Sequence, residues 1–190
     1  MLRVKKIQAG MTLIELAIGL VIIGLLFSLA LPSYRQWIQN SQIRATAEAI
    51  QNGLQLARSE AVRRNTRVEF VLTAASPVVA NVGAAANAAG PNWIVRVFQA
   101  AGVYTANDFI QGRAGAEGSL NAAITPNGGQ SSFVFTALGG LTPLPGATIP
   151  IDITSNSSAA NRPLRILIST GGTIRMCDPH LVLANNPQGC

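Results

Sequence analysis

Residues 11–31, MTLIELAIGLVIIGLLFSLAL, are an apolar run of 21 residues with a single charge, Glu15. As a helix the run spans about 31 Å, close to the thickness of a bilayer core. A helix apolar on every side for that length does not suit an ordinary soluble core. Residues 1–10 carry Arg3, Lys5 and Lys6 and no acid, which orients them to the cytoplasm and the bulk of the chain to the outside. A secretory signal would end its apolar run in a small-residue cleavage site. Leu29-Ala30-Leu31-Pro32-Ser33 is a poor one, and the boundary that stands out lies before the run, at Ala9-Gly10-Met11-Thr12. A plain membrane anchor leaves Glu15 unexplained, because a carboxylate inside a membrane span is costly and implies a functional partner.

Beyond residue 32 the helical period continues. Ile43, Ala47, Ile50, Leu54, Ala57 and Ala61 lie on one face, while Arg44, Glu48, Arg58, Arg63 and Arg64 lie on the opposite surface. Arg44–Glu48 and Glu60–Arg64 are i,i+4 pairs worth a few tenths of a kcal/mol each. Gly53 is the weak point, at about 1 kcal/mol relative to alanine. The small residues of the stripe suit a broad, flat cover such as a β-sheet.

From Arg67 the period becomes 2. Val68, Phe70 and Leu72 alternate with Arg67 and Glu69 in a first strand. Segments 93–98, 131–137, 147–153, 164–170 and 173–177 read as further strands. The Ala/Gly/Asn-rich stretch 74–90 reads as a mobile loop, and 99–130 holds one short strand at 120–125. Gly171-Gly172 signals a two-residue hairpin turn, which sets Arg165 opposite Asp178 and Ile168 opposite Arg175. No helical pattern follows residue 66. The chain therefore reads as α+β: one long helix, membrane-spanning in its first half and amphipathic in its second, packed on an antiparallel sheet. Its segments are 1–10, 11–31, 32–66 and a β-rich globular part, 67–190.

Composition narrows the functions. The 190 residues suffice for one domain and an appended segment. With 48% hydrophobic and only 12% charged residues, the chain as a whole is neither a disordered tail nor a nucleic-acid arm. Two cysteines and one histidine exclude a four-cysteine or His-rich metal site. No nucleophile elbow, P-loop, HExxH or dinucleotide fingerprint is present. His180 reads as a solvated loop residue, and Asp108, Glu117 and Asp152 have no spacing suited to acid–base work. Asn156-Ser157-Ser158 fits a glycosylation acceptor, a short and frequent motif. The expectation is a non-enzyme without a cofactor or metal.

Lys5-Lys6-Ile7-Gln8-Ala9-Gly10 followed by Met11-Thr12-Leu13-Ile14-Glu15-Leu16 resembles the class III signal of type IV pilins and pseudopilins. The resemblance implies cleavage after Gly10 by a prepilin peptidase and N-methylation of Met11, which replaces the usual Phe. It also implies that Glu15 is the assembly carboxylate and Pro32 the helix-bending proline. In a packed filament the Met11 amine of one subunit can neutralise Glu15 of its neighbour, since a buried carboxylate is tolerated when paired. Pro32 removes one helical hydrogen bond near the exit from the membrane.

The segment Gln55-Leu56-Ala57-Arg58-Ser59-Glu60-Ala61-Val62-Arg63-Arg64-Asn65 resembles the helix end of GspH/FimT minor pilins and pseudopilins, and Phe133-Val134-Phe135 followed by Gly139-Gly140-Leu141 resembles a later stretch of the same family. The resemblance implies a pilin-like fold and a structural subunit that helps prime, cap or assemble a type IV pilus or type II secretion pseudopilus. Its place is the bacterial inner membrane, as a single-pass protein with its globular part in the periplasm or on the filament. Its partners are the prepilin peptidase, the inner membrane and other pilins or pseudopilins met through the N-terminal helix. Outside the cytoplasm Cys177 and Cys190 can form a disulfide, closing a loop worth roughly 3 kcal/mol.

An alternative stands beside this. Some FimT-type members are DNA-binding minor pilins in DNA uptake for natural transformation, with a Gly-Arg-x-Arg motif before the cysteine. Here Gly172-Thr173-Ile174-Arg175-Met176-Cys177 keeps only the second arginine. Arg162, Arg165 and Arg175 could together contact phosphates. Asp178 lies among them, and no aromatic residues interleave to stack bases.

Overall fold

The computed structural model describes residues 11–115, 117, 121–143, 146–156 and 162–190. One helix, α1 (Leu13–Arg64), runs 52 residues and continues through Pro32. It ends at Asn65, whose φ of 51° lies in the left-handed region. The N–H groups of Asn65 and Thr66 turn back to the carbonyls of Val62 and Ala61. This is a Schellman closure, in a position that asparagine tolerates better than most residues.

In the last turn Glu60 holds two arginines, Arg63 Nη2 and Arg64 Nε, each at 2.6 Å. The i,i+4 spacing points only to the second. The expected Arg44–Glu48 pair is solvent-exposed and lies at 3.7 Å. Hydrogen bonds from Arg63 and Arg64 lower the Glu60 carboxyl from an ordinary 4.5 to about 2. A depressed carboxyl stabilises the fold above its unfolded value and loses that effect as pH falls through its folded value. The stability gap between the wild type and Glu60→Gln, read from urea unfolding, is therefore full above about pH 4.5 and closes toward pH 2.

Among the described residues nine strands follow: β1 (Val68–Thr73), β2 (Asn92–Val97), β3 (Phe109–Arg113), β4 (Ala122–Pro126), β5 (Ser132–Phe135), β6 (Leu141–Thr142), β7 (Ile149–Ser155), β8 (Leu164–Ile168) and β9 (Ile174–Cys177). The antiparallel β structure expected on the helix is divided between two sheets, ordered β3-β2-β1-β5-β6 and β4-β7-β8-β9. The strands β3 and β6 lie outside the expected set. β3 is a sheet edge containing Gln111 and Gly112, and β6 has two residues, so neither carries an alternating apolar signal. The short strand expected at 120–125 is β4, at Ala122–Pro126.

The second half of α1 covers both sheets. Its whole predicted stripe, Ile43, Ala47, Ile50, Leu54, Ala57 and Ala61, is buried, and Thr46, Ala49 and Gly53 widen it. Against it lie Phe70, Trp93 and Phe133 from the first sheet and Ile151, Ile153, Ile166 and Ile168 from the second. Phe70 stacks tilted on Trp93 at 5.5 Å between ring centroids. Gly53 is where these rings approach the helix backbone: a Cβ there would stand 2.7 Å from Phe70 Cε2 and 3.2 Å from the Trp93 ring. The helix-propensity cost assigned to this glycine thus allows close packing, and alanine would overfill the site.

β1 is buried on both faces. Its second face carries Glu69, which accepts hydrogen bonds from Arg96 Nε (2.7 Å), Tyr104 Oη (3.0 Å) and Ser132 Oγ. Arg96 Nη1 in turn donates to the carbonyls of Val82 (2.6 Å) and Ala84 (3.1 Å). Segment 74–90, expected as a mobile loop, is tied down by these bonds and by those from Thr73 Oγ1 to Ala85 O and from Asn87 N–H to Leu72 O. A charged pair buried this deeply is tolerated because nearly every polar atom of it has a partner.

Candidate functional site

The N-terminal end is built by a capping box. Thr12 Oγ1 accepts the Glu15 N–H at 3.3 Å, while Glu15 Oε2 accepts the Thr12 N–H at 2.9 Å and its hydroxyl at 2.8 Å. The Thr-x-x-Glu spacing that announces this motif is present in the sequence, although the glutamate alone stands out there as a charge. Within a single chain the carboxylate is thus held at the helix start by its own threonine. Met11 beside it is exposed, and Gly10 lies outside the described residues.

Through residue 31 the helix stands clear of the sheets. Leu13, Leu20, Leu26 and Leu29 are each more than 60% exposed, and the most apolar stretch of α1 has none of its residues buried. At Pro32 the missing N–H leaves one helical carbonyl without its donor. Tyr34 and Trp37 follow, stacked at 6.1 Å between centroids and both exposed. Amphipathic rings at the end of a span are at home in a membrane interface.

The three arginines weighed for phosphate contact do not make one open cluster. Arg165 forms a two-pronged pair with Asp152 across β7 and β8, at 2.6 and 3.0 Å, and that pairing raises its pKa. Arg175 Nη2 donates to the Gly189 carbonyl at 3.0 Å. Arg162 is exposed, and its backbone N–H reaches Asn40 Oδ1 at 3.3 Å.

The hairpin register also differs from expectation by one residue. Arg165 pairs with Cys177, and Leu167 rather than Ile168 faces Arg175. The connection is a three-residue loop, 170–172, closed by Ser169 N–H to Thr173 O, with Gly172 at φ 76°. A left-handed residue ending the turn gives this loop length in place of a two-residue turn.

Cys177 and Cys190 are disulfide-bonded, with their Cα atoms 5.3 Å apart. The closed loop is also pinned by Asp178 N–H to Gln188 O and Cys190 N–H to Asp178 O. The Arg175 contact belongs to this same anchorage. His180 is exposed, and its backbone N–H donates to Asp178 Oδ1.

Sequence reasoning missed the joint at the far end of the helix. Arg58, assigned to the outer surface, is half-buried, and its Nε donates to the Gly139 carbonyl at 3.1 Å. Gly139 has φ 79°, and Gly172 from the other sheet packs directly on its carbonyl oxygen. Helix, first sheet and second sheet meet at these three residues. The signal was present as separate glycine pairs and a helix-end arginine, without anything in one dimension to connect them.

Among the described residues no group of three or more His, Cys, Asp or Glu converges. A cavity of about 20 Å³ beside Thr46, Trp93 and Ile124 has room for a single water. Asp152 is paired with Arg165, Glu117 lies 3.8 Å from Arg113, and Asp108 caps its own turn at Thr105. Ser157 and Ser158 of the possible glycosylation triplet lie outside the described residues.

The family model of the type II transport protein GspH matches residues 46–177. That of the prokaryotic N-terminal methylation motif matches residues 5–31. No curated protein matches the chain. Among solved structures, the type IV minor pilin FimU of Pseudomonas aeruginosa is similar with a TM-score of 0.56 at 18% identity, over 74% of this chain and 91% of that one. A second crystal form of FimU gives 0.52 at 19% identity, over 70% and 90%. The minor pseudopilin EpsH from the Type 2 Secretion System of Vibrio cholerae gives 0.47 at 12%, over 74% and 99%. At these identities the likeness to FimU shows a shared fold.

Proposed function

The chain belongs to the family of the type II transport protein GspH, and on that premise we propose that it is a non-catalytic minor subunit that helps to prime, cap or assemble a type IV pilus or type II secretion pseudopilus. A prepilin peptidase cuts between Gly10 and Met11 and methylates Met11. The mature chain waits in the inner membrane by its first helical half, with the β-rich part outside. It then leaves the bilayer to pack its helix among those of other subunits.

The observation that carries this reading is the bare first half of α1, coincident with the methylation motif. About 30 Å of apolar helix that touches nothing else in its own chain needs lipid or other apolar helices around it. Glu15 fits both environments. Thr12 satisfies it within one chain, and in a filament the amine of a neighbouring Met11 can add the counter-charge. The anchored Arg175 and the paired Arg165 fit a structural subunit.

Glu15→Ala tests the reading. The substitution removes a carboxylate that lipid disfavours, so membrane insertion is no worse. Cleavage, read from the intact mass of the membrane-extracted chain, continues. Incorporation into the filament falls at least tenfold at equal expression. A chain that still begins at residue 1 in cells with an active prepilin peptidase, or an undiminished incorporation of Glu15→Ala, would sink the proposal.

A further inference from the structure

Two aromatic rings stand just past the membrane-length run. Beyond Leu31, the exposed large apolar residues of α1 are Tyr34, Trp37 and Val62. At about 100° per residue, Tyr34 and Trp37 lie on the side of the helix opposite the buried stripe from Ile43 to Ala61. The sheets therefore leave them uncovered. Farther along the same side come Ser41, Arg44, Glu48 and Asn52, all exposed. The outer face of the helix thus changes from apolar to polar between residues 37 and 41, more than one turn after the run ends.

The lengths match a lipid boundary at this place. By the helical rise Tyr34 and Trp37 lie about 5 and 9 Å beyond Leu31, and side chains on a helix lean toward its N-terminus, here toward the run. The headgroup layer adds roughly 5–8 Å on each side of the hydrocarbon core. Between the two rings Arg35 is exposed, and among the described residues it has no ion-pair partner. No acid occurs from residue 16 to residue 47, so the helix offers this arginine no nearby carboxylate. The globular part begins at the same level: Gln36, Ile38, Gln39 and Asn40 are half-buried, and Asn40 Oδ1 accepts the Arg162 N–H at 3.3 Å.

We propose that Tyr34, Arg35 and Trp37 form a seat in the phospholipid headgroup layer, with the rings at the edge of the acyl chains and Arg35 on lipid phosphate. The inference rests on the membrane reading given above and extends the lipid contact from Leu31 to Trp37. Tyrosine and tryptophan join an apolar body to a polar edge, which suits them to that layer. Arginine, with an apolar stem and a charged head, suits the same boundary. Arg35 lies about 100° round the helix from Tyr34 and about 160° from Trp37. A lipid layer surrounds the helix and meets all three, whereas a neighbouring helix covers one side.

The test uses the full chain in phosphatidylcholine vesicles brominated either near the headgroup or at mid-chain. Trp93 is 4% exposed and Trp37 66%, so lipid bromine reports on Trp37. Shallow bromines are expected to quench the tryptophan emission roughly threefold more than mid-chain bromines, and Trp37→Phe removes most of that quenching. Equal or stronger quenching from mid-chain overturns the seat. So does quenching that survives Trp37→Phe. A chain that resists a carbonate wash but shows no quenching by lipid overturns the seat alone. In that case acrylamide separates a ring left in water, which it quenches, from one covered by a second copy, which it does not. A chain washed out of the vesicles by carbonate overturns the membrane reading and this inference with it.

Discussion

Gly172→Ala is expected to destabilise the chain by about 2–5 kcal/mol, while Gly171→Ala, one residue away, changes stability by less than about 0.5 kcal/mol. Gly172 has φ 76°, and a side chain in that region costs roughly 1–2 kcal/mol. A Cβ there also collides with the carbonyl oxygen of Gly139. That atom is backbone, held in place by Arg58, and cannot swing aside, so overpacking adds about 1–3 kcal/mol. A Cβ on Gly171 meets nothing within 4 Å. Urea unfolding of the detergent-solubilised chain compares the two. Equal effects would mean that the hairpin does not dock on the first sheet in the way described.

The second large effect is at Arg96. Arg96→Met leaves Glu69, itself only 5% exposed, without its cation and is expected to cost about 3–5 kcal/mol. The carbonyls of Val82 and Ala84 lose their donor in the same change, so segment 74–90 should exchange its amide hydrogens sooner. Adding Glu69→Gln to Arg96→Met should recover a large part of the loss, because the unpaired charge is the main cost. The tyrosine and serine hydroxyls can still bond to the amide. A double-mutant cycle by urea unfolding decides it, and strict additivity of the two substitutions would show that the buried pair is not coupled.

The parts of this protein that the sequence reveals are those whose signals are local and periodic. The stripe from Ile43 to Ala61 could be read because a helix with one covered face must repeat its small apolar residues every three or four positions. The membrane-length run and its glutamate could be read because lipid tolerates few alternatives. The strands β1, β2, β5 and β7 to β9 showed themselves by runs of β-branched and aromatic residues. The edge strand β3 did not, since Gln111 and Gly112 interrupt any alternation. The candidate site divides in the same way: Glu15 was legible as a costly charge, and the threonine that holds it was legible only as a capping pattern.

What tertiary structure decided is which separated residues meet. Glu69 occupies a strand position that alternation assigns to solvent, and it became buried only because segment 74–90 folds over that face and brings a matching arginine. The phosphate-contact reading of Arg165 and Arg175 depended on where Asp152 and Gly189 came to lie. The hairpin register turned on a single residue, and the glycine pair alone permits either loop length. Gly53 looks like a flaw in a helix until Phe70 and Trp93 are seen against it. Hydrophobic periodicity determines which face of an element is buried, since that choice is repeated along the chain and each repeat contributes free energy. Partners distant in sequence are determined by shape and by the demand that each buried charge find its counterpart, and those conditions exist only once the sheets have closed on the helix.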